Sequence, residues 1–314
     1  MARVNSMHDD TGVVLRTIGL SKRYGSFAAL DDLNVEVTRG EVFGYLGPNG
    51  AGKTTTIRLL LGLIAPTAGQ AEIFGMDAQR QKIQIHKRLA YVPGEATLWP
   101  GLTGAETLHL LAQVHGAVDT LYRTKLVRRF QFDVDKKVRT YSKGNRQKIN
   151  LIAAFATRAE FLLLDEPTAG LDPLMEQAFR ECVLEAKHNG QTVFLSSHIL
   201  DEVEALCDRV GILRAGKLVE VGTLAEMRHL SALTVEATFD SHPPKVNHLQ
   251  GVSAVKITGN RLTCQVRGSI DGLLHVLAAA HPKSLLSREP SLEELFLSLY
   301  GKTDERNIEA NNGR

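Results

Sequence analysis

Residues Glu41–Thr56 read EVFGYLGPNGAGKTTT. The first half is almost wholly apolar, which marks a strand buried on both faces. The second half, Gly47 to Thr54, fits G-x-x-x-x-G-K-[ST], and the apolar helix TIRLLLGLI follows, closed by Pro66. A strand, a glycine turn and a helix in that order are what a phosphate cradle requires. Gly47, Gly50 and Gly52, with Pro48, Asn49 and Ala51 between them, let successive N–H groups face one anion. The helix adds its positive end. Lys53 brings a point charge to β- and γ-phosphates, and the Thr54 hydroxyl, next to Thr55, can ligate Mg²⁺.

Two apolar stretches farther on extend this reading. Phe161–Asp172, FLLLDEPTAGLD, is a buried strand delivering Asp165 to a metal, with Glu166 next to it as base or orienter of a water. Thr192–Glu202, TVFLSSHILDE, puts His198 just past another buried strand. That strand is expected beside FLLLD, at the sheet edge where ligands bind, and a neutral imidazole there would hold γ-phosphate and water. The other histidines read as structural or surface residues. Tyr141–Lys148, YSKGNRQK, opens an apolar helix; Arg146 and Lys148 read as its solvated face.

Strands and helices alternate along the chain, so the expected fold is α/β, with a largely parallel sheet and an inserted helical region. RVGILRAGKLVEVG reads as a hairpin turning at Ala215-Gly216. From residue 231 the order is β-α-β-β-α-β, a small α+β ferredoxin-like plan ending in the helix SLEELFLSLYG. The expected boundaries are an N-terminal extension over 1–13, a nucleotide domain over 14–230 with a helical part at about 95–158, an accessory domain over 231–301 and a disordered tail over 302–314.

At 314 residues the chain has room for about two domains. Its hydrophobic share of 43% and charged share of 23% exclude wholesale disorder. A net charge of +2 gives no field that selects nucleic acid. Cys182, Cys207 and Cys264 are too dispersed for a disulfide framework. The start, MARVNSMHDDTG, lacks the apolar region of a signal peptide, and no run reaches the roughly 18 apolar residues of a membrane helix.

GPNGAGKT, YSKGNRQK, LLLDEPTAGLD and LSSH, in this order, resemble the nucleotide-binding domain of an ABC transporter across roughly residues 14 to 230. The resemblance implies ATP and Mg²⁺ as ligands and a head-to-tail homodimer sharing its ATP sites. It makes Tyr24 the aromatic that stacks on adenine. Ala169, Gly170, Leu171 and Asp172 become the loop crossing the dimer interface. Ser142, Lys143, Gly144 and Asn145 become the signature, with Ser142 and Gly144 meeting the γ-phosphate held by the partner subunit. The usual signature is Leu-Ser-Gly-Gly-Gln, so Tyr141, Lys143 and Asn145 depart from it. A glutamine normally follows a strand such as LAYVP; here Gly94 and Glu95 stand there, and Glu95 could offer the metal a carboxylate oxygen.

Both departures, with the run GEATLWPGLTGAE and the ending EPSLEELFLSLYG, resemble ATP-binding subunits of bacterial antibiotic and multidrug exporters, the polyketide-antibiotic type included. That subgroup implies a separate membrane permease, a place on the cytoplasmic face of the cell membrane, and permease contacts near residues 94 to 103, at Trp99 and Leu102. The competing readings are an importer's ATPase and a soluble ABC-type ATPase of translation, repair or cluster assembly.

Overall fold

The structure, a computed structural model, describes residues 12–95, 97–116, 118–229, 232–289 and 294. The start of the N-terminal extension, the expected closing helix SLEELFLSLYG apart from Glu294, and the tail lie outside the described residues. Two compact units divide between Val221 and Gly222.

The first unit starts with β1 (Val13–Tyr24), β2 (Phe27–Thr38), β3 (Val42–Leu46) and α1 (Lys53–Leu60). Then come β4 (Ala68–Ile73), β5 (Met76–Asp77), α2 (Lys82–His86) and β6 (Leu89–Val92). Helices α3 (Gly104–His115), α4 (Thr120–Arg129) and α5 (Lys143–Ala156) form the inserted region. The chain returns through β7 (Phe161–Asp165), α6 (Pro173–His188), β8 (Thr192–Ser197), α7 (Leu200–Leu206), β9 (Arg209–Arg214) and β10 (Lys217–Thr223).

One sheet has the order β10-β9-β3-β8-β7-β6, and its five strands from β9 to β6 pair in parallel. Both faces are covered, which explains the unbroken apolar runs. In β7, Leu162 and Leu164 face the core shared with α3 to α6, while Phe161 and Leu163 face the core shared with β1, β2 and α1. Each of these fully buried side chains stabilises the fold by about 2 kcal/mol. A second, antiparallel sheet, β2-β1-β4-β5, completes the other side. The expected hairpin joins β9 to β10 with left-handed residues at Ala215, φ 47°, and Gly216, φ 78°.

The second unit contains α8 (Leu224–His229), β11 (Leu233–Thr238), β12 (Val252–Thr258), β13 (Arg261–Val266), α9 (Asp271–Ala279) and β14 (Ser284–Arg288). Its antiparallel sheet runs β12-β13-β11-β14, the strand order of a split βαβ plan. The first crossover is irregular: PPKVNHLQG forms no helix.

Candidate functional site

The phosphate loop joins β3 to α1. Gly52, φ 115°, is the residue before the helix, and a Cβ there would come within 2.6 Å of the Ala29 carbonyl oxygen. Only glycine fits this position. No side chain caps α1, so its first N–H groups remain available to an anion. Lys53 is buried at 4% exposure, and its Nζ donates to the carbonyls of Gly47, at 2.6 Å, and Pro48, at 3.2 Å. Pro48, Asn49 and Gly50 are exposed, Ala51 is buried, and Thr55 lies half-buried beside the exposed Thr54.

Parallel pairing brings the ends of β7 and β8 together at this loop. Asp165 accepts from the Thr54 hydroxyl at 3.1 Å and from the Ser196 hydroxyl at 3.1 Å. Burial pushes its carboxyl above the usual carboxylate range, against the pull of those two hydroxyls. Glu166 has a left-handed backbone, φ 45°, a conformation that costs a non-glycine residue about 1–2 kcal/mol. A hydrogen bond from its N–H to the Ser196 carbonyl, 2.9 Å, holds it there. The bend sends its Oε1 to Lys53 Nζ, at 3.2 Å, and to His198 Nδ1, at 3.3 Å. Lys53, Thr54, Asp165, Glu166 and His198 therefore form one constellation from three separate stretches of sequence. No cluster of three His, Cys, Asp or Glu side chains suited to a metal occurs among the described residues. The hard oxygens of Thr54 and Asp165 are the donors a Mg²⁺ ion would accept, with phosphates and water supplying the rest.

The YSKGNRQK stretch begins α5. Ser142 caps it, its hydroxyl accepting from the Asn145 N–H at 3.2 Å. Gly144 packs directly against the Gly170 carbonyl, where a Cβ would collide with it, and the Lys143 stem runs alongside Gly170. Ala169 to Asp172 form a turn: Ala169 N–H donates to the Glu166 carbonyl at 3.1 Å, and Leu171 N–H to the Thr168 carbonyl at 2.9 Å. Asp172 then caps α6 by accepting from Met175 N–H at 3.0 Å. The signature stretch and the loop after the acid pair are thus one packed unit within the chain.

Lys148 corrects the reading of a solvated face. It is buried, at 8% exposure, and burial lowers its pKa while Asp172 pulls the other way. Arg146 is half-buried. The apolar surface of α5 is wide enough to take the Lys148 stem inward. Gln147 is a residue that motif reading missed. Its Nε2 donates to the Pro93 carbonyl at 3.1 Å and to the Pro167 carbonyl at 3.2 Å, tying α5 to the residues beyond β6 and β7. Its only sequence signal is its place on the inward side of the helix.

Other expected residues lie apart from this constellation. Tyr24 is half-exposed at the tip of β1, with Lys22 Nζ 5.1 Å from its ring centre. Gly94 packs behind the acid pair, a Cβ there meeting the Asp165 carbonyl oxygen at 3.1 Å. Glu95 is exposed and makes no hydrogen bond with Thr54 or Asp165. Trp99 is 48% exposed and Leu102 half-buried. Neither lines the apolar groove of about 560 Å³ that opens where α1, α2, β6, α3 and α5 converge. Leu63, Ile83 and Val114 are exposed along that groove, and Tyr91 and Asn150 also border it.

The ABC transporter family model matches residues 30–169. The bacitracin transport ATP-binding protein BcrA of Bacillus licheniformis is 41% identical over 92% of this chain and 97% of its own length. The daunorubicin resistance ATP-binding protein DrrA3 of Streptomyces coeruleorubidus is 35% identical over 92% of this chain and 96% of its own. A solved ATP-binding subunit of an ABC transporter, 34% identical, superposes with a TM-score of 0.64 over 68% of this chain and 92% of that one.

Proposed function

The chain belongs to the ABC transporter family, as an ATP-binding subunit that hydrolyses ATP to power transport, and we propose that it drives export of an antibiotic or drug-like molecule through a separate membrane permease. The observation that carries this reading is near-full-length similarity to proteins named for bacitracin transport and daunorubicin resistance. No helix among the described residues is long and apolar enough to cross a membrane, which suits a subunit bound to a permease at the cytoplasmic face.

In the proposed mechanism the phosphate loop and the α1 N-terminus bind the ATP phosphates, and Lys53 exchanges its carbonyl contacts for phosphate oxygens. Tyr24 stacks on the adenine. Thr54 and Asp165 would hold Mg²⁺, which would supply charge neutralisation for the phosphates. Glu166 takes the proton of the attacking water while His198, its Nδ1 3.3 Å from the same carboxylate, keeps that geometry. Two copies meet head to tail, each offering Ser142 and the Gly144 N–H to nucleotide on the other. The Gly144–Gly170 packing favours motion of the signature and the loop after the acid pair as one body.

The apolar groove beside α5 supports a refined docking site for the permease. Its exposed Leu63, Ile83 and Val114 suit an apolar cytoplasmic segment, so the groove is a proposed contact in addition to Trp99 and Leu102. The test is co-expression with a candidate permease, followed by ATP-dependent uptake of labelled peptide antibiotic or anthracycline into inverted vesicles. Uptake that needs ATP and Glu166 supports export. Co-purification with ribosomes or DNA and no permease would favour the soluble alternative.

A further inference from the structure

Glu202, in the first turn of α7, closes the TVFLSSHILDE stretch without a role assigned to it above, yet it is among the least exposed carboxyls described, at 2%. Its Oε2 accepts a 2.6 Å hydrogen bond from the Ser197 hydroxyl. Ser197 Oγ in turn accepts from the Ile199 N–H at 3.0 Å. These two bonds span the peptide unit that carries His198, so the residues on both sides of His198 are anchored to one buried group. Glu202 Oε1 is buried with no hydrogen-bond partner among the described residues.

Thr168 lies against the same carboxyl, and Thr168 belongs to the turn that leaves Glu166. Glu202 therefore stands between the loop after β7 and the end of β8, the two segments that deliver Glu166 and His198. Burial pushes its carboxyl above the usual range, against the hydroxyls of Ser197 and Thr168; Glu176 adds to the rise and Arg180 opposes it.

We infer that Glu202 is a positioning residue for ATP hydrolysis: through Ser197 it fixes the His198 peptide and so keeps the His198 imidazole against Glu166. The inference rests on the hydrolytic role given to Glu166 and His198 above. The carboxyl does this work by accepting the Ser197 O–H, a bond that a glutamine amide oxygen can also accept. Glutamine can replace it and leucine cannot. A side chain lost from this position leaves the Ser197 hydroxyl only the distant Ile199 carbonyl, 3.5 Å away, as acceptor and lets the His198 peptide drift by a fraction of an ångström, enough to lower a rate that depends on alignment.

The test compares Glu202→Gln, Glu202→Leu and Ser197→Ala in the full chain, by phosphate release, fluorescent ADP binding and thermal midpoint. Glu202→Gln is expected to keep kcat within about twofold, while Glu202→Leu and Ser197→Ala lower it about tenfold at unchanged ADP affinity. In a His198→Ala background Glu202→Leu should cost nothing more, because the group it positions is gone. A folded Glu202→Leu protein with wild-type kcat overturns the inference. So does a Glu202→Gln protein as slow as Glu202→Leu. If Glu202→Leu does not fold, Ser197→Ala and Glu202→Gln decide between the same outcomes. A wild-type chain that releases no phosphate overturns the hydrolytic reading and this inference together; an active wild type with silent variants overturns this inference alone.

Discussion

Replacing Glu166 by glutamine keeps the side chain's shape and removes its charge and basicity. The carboxylate Oε1 is 3.2 Å from Lys53 Nζ and 3.3 Å from His198 Nδ1, distances a glutamine oxygen can also satisfy. The left-handed backbone at φ 45° is tied to the Ser196 carbonyl through the main chain, so the substitution leaves that bend in place. What disappears is the capacity to take a proton from water, which contributes on the order of 10²–10⁴ in rate. That range corresponds to about 3–5 kcal/mol of transition-state stabilisation. Phosphate release at saturating ATP is expected to fall by that factor, while fluorescent ADP binds at least as tightly as to the wild type. An ATP-dependent dimer should then persist on size-exclusion chromatography. Glu166→Asp separates position from basicity, because it keeps the carboxylate but withdraws it by about one C–C bond, ~1.5 Å, beyond reach of His198. It should lose most of the activity as well. Hydrolysis by Glu166→Gln within a few-fold of wild type would remove Glu166 as the base, and nothing else in the constellation offers a second carboxylate at that place.

Mixing a Lys53→Ala chain with a Ser142→Arg chain tests the shared site. Random pairing makes about half the dimers mixed, each with one of two sites intact, so about a quarter of wild-type hydrolysis should return. No gain over the separate chains would refute the head-to-tail arrangement. Gly144→Ala should lower kcat about tenfold, since its Cβ runs into the Gly170 carbonyl; unchanged kcat and ADP affinity would show that the signature and the adjoining loop need not move together. Lys148 supplies a pH dependence. Its folded pKa lies below 10.5 because of burial, so the unfolded chain binds more protons between the two values, and stability rises with pH through that window. Lys148→Met should raise the denaturation midpoint at pH 7 and flatten the rise toward about pH 10. A lower midpoint would mean that the attraction to Asp172 outweighs burial.

The parts of this fold that local chemistry controls were legible in the chain. Phe161–Leu164 alternates between two cores and so needs apolar residues at every position, which is why it announced itself as a strand buried on both faces. The glycines of the phosphate loop were legible because φ 115° at Gly52 admits no other residue there. The strands β4 and β5 were not read, since their exposed residues and short length leave no periodic pattern. Lys148 was misread because charge predicts exposure only where no neighbouring helix or loop covers the stem. Gln147 and Glu202 went unnoticed because their partners, Pro93, Pro167 and Ser197, are backbone and hydroxyl groups that any segment could offer.

The two adjacent carboxylates at the end of β7 illustrate what only the structure adds. The sequence assigns Asp165 and Glu166 different roles, and the fold shows how adjacent acids come to face different partners. In the fold Asp165 is still a strand residue paired with Ser196, so its carboxylate meets Thr54 and the Ser196 hydroxyl, a setting of neutral hydrogen-bond donors suited to a hard cation. One residue later the chain leaves the strand with φ 45°, which breaks the alternation of faces and turns the Glu166 carboxylate toward Lys53 and His198. A single left-handed residue thus aims two adjacent carboxylates at different partners. The separation survives only while the Glu166 N–H stays on the Ser196 carbonyl, and the next two residues of that strand end are Ser197 and His198. Because Glu202 holds Ser197, the divergence of the two carboxylates and the placement of the histidine depend on the same short stretch at the end of β8.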